Sequence, residues 1–310
     1  MTLFEHFASK RLIIVGGKGG VGKTTIAAAL SIMISQTHKT LVVSTDPAHS
    51  LSDSFRQSIG SEITKLSEKY PLFGLEISAE DAYRKFIDRY RNQLKLLFDS
   101  STYFDEEDIN EMLSVSIPGL DEVMSLKTII DLLTENQFDR IIIDTAPTGH
   151  ALRLLSMPDV LDTWIKMSAK MRWKYKEVIQ TFKGSYTPDE GDDFLVEMKK
   201  SVKRIEAILK DKNACEFLPV MIPTEMSFAE TERLILALQQ EGINAEHLFI
   251  NQVLPPKEAG IYFAQKVKEE QALIKRIQSK IDLTLHLVEQ EPLEVRGMER
   301  LFAFASKNLK

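Results

Sequence analysis

Short apolar runs alternate with longer amphipathic segments along most of the chain. The apolar run at 12–15 ends in glycines and the segment 40–45 has the same character, which is typical of buried parallel strands. Between them, the segment 24–34 is rich in Ala, Leu and Ile and predicts a helix. A strand, a helix and a second strand in this order predict a βαβ unit with a right-handed connection.

The same alternation continues to the end of the chain. Further strands are predicted at 72–77, 141–143, 217–222, 247–251 and 283–287. Helices are predicted at 80–98, 227–241, 258–281 and 293–305. Strands that alternate with helices predict an α/β fold with a doubly wound, mainly parallel sheet.

The middle of the chain departs from this alternation, because only the strand at 141–143 is predicted between Asp99 and Cys215. The rest of this region has the apolar spacing of helices. We therefore expect a single domain over residues 1–310, with an all-helical insertion subdomain at about 79–135 and 151–212 packed on one end of the sheet. No internal repeat is visible, which excludes a duplicated, two-site arrangement of this fold.

Composition sets limits on function. The 310 residues are 44% hydrophobic with a net charge of −6, which argues against nonspecific binding to nucleic acid. Cys215 is the single cysteine, so a zinc or iron–sulfur site cannot be built from this chain's thiolates alone. The chain has no predicted leader and no apolar stretch of about 18 residues, so we expect a cytoplasmic protein with no membrane span.

The segment GGKGGVGKTT at 16–25 follows the first predicted strand and opens the first predicted helix. It fits the phosphate-loop pattern G-x-x-x-x-G-K-[ST] in the context that confirms such a match. We expect Lys23 to reach the β- and γ-phosphates of ATP and Thr24 to ligate Mg²⁺. The predicted nucleotide-binding residues of this segment are Gly17, Lys18, Gly19, Gly20, Val21, Gly22, Lys23, Thr24 and Thr25.

The spacing K-G-G-x-G-K-T resembles the deviant phosphate-loop ATPases, which include partitioning, division-site, arsenite pump and tail-anchored protein targeting ATPases. In that class the first lysine reaches across a dimer interface to the partner's phosphates. The resemblance therefore implies a homodimer in which Lys18 acts in trans on transition-state charge. The alternative is a solvated surface lysine.

Two acidic residues follow predicted strands, Asp46 after 40–45 and Asp144 after 141–143. The carboxyl ends of parallel strands form the crevice where ligands bind. Asp46 resembles the residue that orients the attacking water and Asp144 the residue that holds Mg²⁺, both acting on the metal through water; a helix N-cap is the alternative for each. Lys18, Lys23 and Asp46 are thus the predicted catalytic residues. The predicted switch residues, released on loss of the γ-phosphate, are Asp144, Pro147, Gly149 and His150.

Further segments narrow the resemblance to one branch of the class. They are STDPAHSLSD (44–53), SIPGLDEVMSL (116–126), DTAPTGHALRLL (144–155), ETER (230–233), NQVLP (251–255) and EPLEVRG (291–297). In this order they resemble the arsenite pump ATPase and tail-anchored protein targeting ATPase family over nearly the whole chain. The resemblance implies that Asn251 hydrogen-bonds the adenine and that Pro292 and Val295 flank the base.

Two departures from the family pattern involve cysteines. The region 255–263, which matches a zinc-binding C-x-x-C pair, contains none, so a zinc staple between protomers is not expected and no zinc is expected as a cofactor. The metalloid-binding cysteines of arsenite pump members are also absent, because Ser114 and Ser116 occupy the matching segment. One cysteine per chain cannot supply the roughly three soft ligands that As(III) prefers, and Cys215 is most simply a small buried hydrophobe.

Methionines in the predicted insertion are candidates for a groove that binds an apolar client helix. They are Met112, Met124, Met157, Met167 and Met171. Plain core packing is the alternative for each of them. The run from 293 to the end is amphipathic, and we expect its helix to dock on the sheet rather than to anchor to a membrane.

The favoured function is an ATP-hydrolysing homodimeric targeting factor that shields hydrophobic, tail-anchored-type transmembrane segments and closes its groove with ATP. A membrane receptor is a further expected partner, and nucleic acid is not. The first alternative is a metalloid-stimulated ATPase subunit of an anion efflux system. The second is a positioning ATPase of the partitioning or division-site type.

Overall fold

The computed structural model describes residues 2–46, 50–99, 120–146, 148–183, 185, 187–256 and 260–309. Eight strands form one sheet in the order β3-β4-β2-β5-β1-β6-β7-β8. They are β1 (Leu12–Gly16), β2 (Thr40–Ser44), β3 (Thr64–Lys65), β4 (Leu72–Glu76), β5 (Arg140–Asp144), β6 (Cys215–Met221), β7 (His247–Val253) and β8 (Thr284–Glu289). Every pair is parallel except β3 with β4. The predicted α/β fold with a mainly parallel sheet is confirmed.

Ten helices accompany the sheet among the described residues. They are α1 (Leu3–Ser9), α2 (Lys23–Ile34), α3 (Ser50–Phe55), α4 (Ala79–Asp99), α5 (Leu120–Thr134), α6 (Thr148–Lys183), α7 (Glu190–Lys210), α8 (Glu225–Glu241), α9 (Gly260–Lys280) and α10 (Met298–Asn308). The predicted start of the last helix at 293 was wrong. Gly297 has φ 80°, a left-handed conformation that a helix cannot contain, so α10 begins after it.

The central strands are apolar on both faces because helices cover both sides of the sheet. All five residues of β1 and of β2 are buried. On one face, Phe7 of α1 and Phe249 of β7 share a core with Ala27 of α2 and Leu301 of α10. The last helix thus docks on the sheet, as predicted, and packs against α2. Among the described residues, no helix combines the length and apolar character that crossing a membrane requires.

The chain divides into two compact units. The first comprises Met1–Ser78, Leu132–Leu155 and Ile208–Lys310 and contains all eight strands. The second comprises Ala79–Asp131 and Ser156–Ala207, and its described part is helical. The second unit has its own aromatic core, in which the rings of Phe86, Tyr90 and Phe194 contact one another and Trp164 contacts Phe194.

Candidate nucleotide site

The loop between β1 and α2 is held in a shape that glycine alone fits. Gly22, directly before α2, has φ 91°, and a Cβ there would lie 2.2 Å from Nδ2 of Asn251. A Cβ on Gly17 would lie 2.0 Å from the backbone oxygen of Val220. Glycine adopts these positions without a side-chain clash. The loop therefore packs against β6 and β7 and leads into the N-terminus of α2, whose free backbone N–H groups make such a terminus suited to binding a phosphate.

Lys23, the first residue of α2, lies along this loop. Its side chain is buried, and Nζ donates a hydrogen bond to the carbonyl oxygen of Lys18 at 3.2 Å. Burial lowers the pKa of Lys23, while the negative charges of Asp144 and Asp46 raise it. A buried cation at the phosphate loop, near two carboxylates, suits the binding of phosphate oxygens.

Asp144 ends β5, where it is the register partner of Val15 in β1 and of Ser44 in β2. Its Oδ2 accepts hydrogen bonds from Oγ1 of Thr24 at 2.7 Å and from Oγ of Ser50 at 3.4 Å. Both bonds come from side-chain hydroxyls, so the described contacts of Asp144 are not those of a helix N-cap. The hydroxyl of Thr24 is thus hydrogen-bonded to Asp144, and these are two of the residues that the sequence predicts to bind Mg²⁺.

The carboxylate of Asp144 is incompletely satisfied. Its Oδ1 is buried and has no hydrogen-bond partner among the described residues. Burial raises the pKa of Asp144 to about 6, although the hydrogen bond from Thr24 and the charge of Lys23 oppose the rise. Carboxylate and hydroxyl oxygens are hard ligands of the kind that Mg²⁺ prefers. The orphaned oxygen beside the Thr24 hydroxyl therefore fits a bound Mg²⁺, directly or through water.

Asp46 follows β2 at the same edge of the sheet. Its backbone N–H donates to Oγ of Ser44 at 3.1 Å, and its charge acts on Lys23 of the same chain. Parallel strands place their carboxyl ends together, and the structure accordingly brings Asp46, Asp144, Lys23 and Thr24 to one place.

Lys18 has a partner that the sequence reasoning missed. Its Nζ donates a hydrogen bond to Oε1 of Glu230 in α8 at 2.8 Å, and both side chains are about a quarter to a third exposed. Glu230 belongs to the ETER segment at 230–233, which contributes to the family resemblance but has no predicted function. Within one chain, the ammonium group of Lys18 is thus held by a carboxylate outside the phosphate loop.

Asn251 secures the loop from β7. It is buried, and its Nδ2 donates to the carbonyl oxygen of Val21 at 2.8 Å. The next residue, Gln252, was not predicted; its Nε2 donates to the carbonyl oxygen of Gly20 at 3.4 Å. The described contacts of Asn251 are therefore with the phosphate loop, and its predicted contact with adenine stays a prediction.

Pro292 and Val295 lie between β8 and α10, where they line a surface pocket with Arg300 and Phe304. Among the described residues, no hydrogen bond joins this segment to the phosphate loop. Thr25 is half-buried in α2, and Gly19 is exposed.

The remaining predicted residues fall mostly in the helical part of the chain. Pro147 and Met112 lie outside the described residues. Four further predicted residues belong to α6, but their surroundings are not described: Gly149, His150, Met157 and Met171. Met124 is buried, as core packing predicts, whereas Met167 is 62% exposed. These positions leave the predicted groove a proposal.

Comparisons with known proteins identify the family of this chain. A family model described as anion-transporting ATPase matches residues 10–309. The chain is 35% identical to the ATPase GET3B of Arabidopsis thaliana, over 94% of this chain and 77% of that protein. It is 33% identical to ATPase ASNA1 homolog 1 of Paramecium tetraurelia (96% and 92%) and 32% identical to the ATPase GET3 of Rhodotorula glutinis (94% and 86%). The chain therefore belongs to the anion-transporting ATPase family and is an ATPase.

Proposed function

We propose that this ATPase works as a homodimer that shields hydrophobic transmembrane segments, of the tail-anchored type, and closes an apolar groove on them when it binds ATP. The observation that carries the client part of the proposal is the exposure of large apolar side chains in the second unit. Met167 is 62% exposed, Trp173 67% and Val196 54%. A contiguous exposed apolar patch marks a site that binds other apolar surfaces, and we propose that these side chains belong to one such patch.

Each chain supplies most of one catalytic site. Lys23 would bind phosphate oxygens, Thr24 and Asp144 would hold Mg²⁺, and Asp46 would orient the attacking water. Bound Mg²⁺ would neutralise charge on the phosphates and would give the orphaned Asp144 oxygen a partner, directly or through water. The backbone N–H groups of the loop stabilise the developing negative charge without rearranging. Asp46 belongs to the same site as Lys23 of its own chain, because their charges interact within the chain.

Lys18 supplies the second half of the mechanism. We infer that it leaves Glu230 and reaches the triphosphate of the partner protomer when the dimer closes. The pair is partly exposed, and an exposed ion pair contributes only about 0–1 kcal/mol, so exchange of Glu230 for a triphosphate is energetically accessible. ATP hydrolysis would then depend on closure of the dimer. This dependence would couple hydrolysis to the opening and closing of the groove.

A trapping experiment tests the client proposal. The variant Asp46→Asn, loaded with ATP and Mg²⁺, should retain a purified single-span hydrophobic segment and should hold it as a dimer. Met167→Asp in that background should abolish retention, because a charge in an apolar groove is costly to bury. Met226→Asp is the matched control, since Met226 is equally exposed, at 66%, but lies in the first unit.

Equal retention by the Met167→Asp and Met226→Asp variants would contradict a groove in the second unit. A failure of the trapped protein to retain any hydrophobic segment would contradict the client proposal as a whole.

The family's description as anion-transporting favours a second candidate, a metalloid-stimulated ATPase subunit of an efflux system. The cysteine argues against it. Cys215 is fully buried in β6, and burial raises the pKa of its thiol to about 12, so it does not offer a thiolate. We expect antimonite to leave the ATPase rate unchanged; stimulation that depends on Cys215 would establish this candidate instead.

A positioning role on membranes or DNA is the third candidate. The docked α10 speaks against a membrane-anchoring tail, because Leu301 and Phe304 are buried in the core. The net charge of −6 speaks against nucleic acid as a partner. We propose that the protein acts in the cytoplasm and that a membrane receptor is its partner. We expect no zinc between its protomers, because the family's cysteine pair is missing.

A further inference from the structure

Three side chains outside the ATPase site meet at the opposite end of the sheet from the phosphate loop. Glu216 is the second residue of β6, and His247 is the first residue of β7. His6 projects to them from the last turn of α1. We propose that His6, Glu216 and His247 form a binding site for a divalent transition-metal ion, with Zn²⁺ as the best-fitting occupant.

The ligand atoms are already close together. Nε2 of His6 lies 2.5 Å from Oε2 of Glu216, and Nδ1 of His247 lies 2.8 Å from Oε1 of the same carboxylate. One ligand atom from each residue lies within 4.8 Å of the others. Each imidazole thus faces a different oxygen of one carboxylate. With each imidazole neutral and its proton on the ring nitrogen that faces away from Glu216, a cation between these atoms would find three ligands without a large rearrangement of the backbone.

The donor set selects the class of metal. Two neutral imidazoles and one carboxylate are typical ligands of zinc and of other first-row divalent ions, whereas Mg²⁺ and Ca²⁺ prefer oxygen ligands alone. The site contains no thiolate, so it differs from the cysteine-based zinc site whose absence the sequence predicts. Burial of His6 and Glu216 favours a structural ion over a freely exchanging one.

A nearby lysine has its own partners. Nζ of Lys10 lies 3.9 Å from Oε2 of Glu216, but it also lies 3.6 Å from Oε1 of Glu246 and donates to the carbonyl oxygen of Lys212 at 2.6 Å. Glu246 therefore balances much of the lysine charge. The charge of Glu216 remains available to a dication.

A third imidazole adjoins the cluster. The ring of His286 in β8 lies 5.1 Å from that of His247, and its Nε2 is buried without a hydrogen-bond partner among the described residues. A buried nitrogen without a partner is costly in an apolar setting. It is available to accept a hydrogen bond from a metal-bound water or to serve as a fourth ligand.

The site would fasten the first helix to the sheet. His6 comes from α1, whereas Glu216 follows it by 210 residues and lies in a central strand. An ion that binds only the folded arrangement stabilises the fold according to its affinity and concentration. The proposal does not depend on the ATPase mechanism, because none of these residues contacts the phosphate loop in the described structure.

Metal titration tests the proposal directly. The nucleotide-free protein in excess Mg²⁺, which keeps the Asp144 region occupied, is titrated with Zn²⁺ by calorimetry and with Co²⁺ by visible d–d absorption. We expect one ion per chain, a Co²⁺ spectrum typical of low coordination number, and a rise in Tm with Zn²⁺. His6→Gln and His247→Gln should each weaken binding by at least about 100-fold, since each removes one of three protein ligands.

The substitutions are chosen to keep the fold. Glutamine retains an N–H donor for Glu216, so a purely hydrogen-bonded cluster would tolerate it while a metal site would not. His38→Gln, outside the cluster, and Asp144→Asn, at the nucleotide site, are the matched controls and should bind Zn²⁺ like wild type. Absence of stoichiometric Zn²⁺ binding by wild type, or binding that persists in both cluster variants, would overturn the proposal.

Discussion

Two carboxylates are fully buried at opposite ends of one sheet, and their surroundings differ. Asp144 at the carboxyl end has an oxygen without a described partner, and burial raises its pKa to about 6. Glu216 at the amino end has an imidazole on each oxygen. Burial raises the pKa of Glu216 too, but the hydrogen bonds from His247 and His6 outweigh it and hold the pKa below its usual value.

The difference separates a carboxylate that serves the reaction from a carboxylate that serves the fold. Hydrogen bonds within the fold satisfy only one oxygen of Asp144. A cation that binds with the nucleotide would give the other oxygen a partner and would balance the charge of the carboxylate. Glu216 joins α1 and β7 to β6 through its two imidazole contacts, so its removal should harm the fold rather than the reaction. Substitutions at the two ends should therefore have opposite consequences.

The largest expected effect comes from Asp144→Asn. We predict that kcat for ATP hydrolysis falls by at least about 100-fold, because an amide is a poor ligand of the metal that stabilises phosphoryl transfer. The fold should persist, since asparagine has nearly the same shape. Steady-state hydrolysis at saturating ATP and Mg²⁺ measures the loss. Wild-type turnover in this variant would remove Asp144 from the catalytic site.

The same variant should be more stable than wild type in the absence of nucleotide. The folded pKa of Asp144 is raised from 3.8 to about 6, so the folded state binds more protons between these values and wild-type stability falls as pH rises through that window. Above pH 6 the penalty is about 2 to 3 kcal/mol, and Asp144→Asn should remove it. Urea unfolding at pH 5 and pH 7 measures the difference, and a variant less stable than wild type at pH 7 would contradict the comparison.

At the other end, Glu216→Gln should destabilise the fold by about 3 kcal/mol, because it breaks a buried charged network. The folded fraction should hydrolyse ATP within about twofold of wild type, since the cluster lies at the far end of the strands. Chemical unfolding and activity per folded molecule are the two readouts. If Glu216→Gln lost ATP hydrolysis but kept its stability, the amino end of the sheet would serve the reaction and not the fold, contrary to this prediction.

A smaller effect is expected at the loop that closes the carboxyl end. Gly22→Ala places a Cβ against Asn251 at φ 91°, which should cost about 1 to 3 kcal/mol and should weaken ATP binding at least tenfold. Gly60→Ala is the control, because a Cβ there meets nothing within 4 Å and its φ is not left-handed. Nucleotide titration and thermal unfolding of both variants test this, and equal behaviour would mean that the loop tolerates the strain.

The smallest effect concerns a third carboxylate, Glu197 in the second unit, which is exposed. The hydroxyl of Tyr90 donates to its Oε1 at 2.9 Å, and burial raises the pKa of Tyr90 to about 12. Tyr90→Phe should cost about 1 kcal/mol and should leave ATP hydrolysis unchanged. If Tyr90→Phe lost more unfolding free energy than Glu216→Gln, burial would not determine how much each carboxylate contributes to stability.

The local hydrophobic patterns predicted the fold well. They could not predict side-chain contacts between residues that are far apart in the sequence. Seven of the eight strands follow from apolar runs, whereas β3 has only two residues and no pattern that could reveal it. Asp144 and Thr24 follow from motifs with known partners. The pairing of Lys18 with Glu230 and the joining of His6 to Glu216 connect residues more than 200 positions apart, which only the packed fold brings together.

We propose that Lys18 of one protomer completes the site that holds Asp46 of the other. This proposal is tested by allowing subunits to exchange between Lys18→Ala and Asp46→Asn, two variants that should each be inactive as homodimers. If Lys18 acts in trans, the mixed dimer contains one intact site, and ATP hydrolysis should rise well above that of either variant alone. If Lys18 acts within its own chain, both sites of the mixed dimer stay defective, and no recovery of hydrolysis would contradict the account.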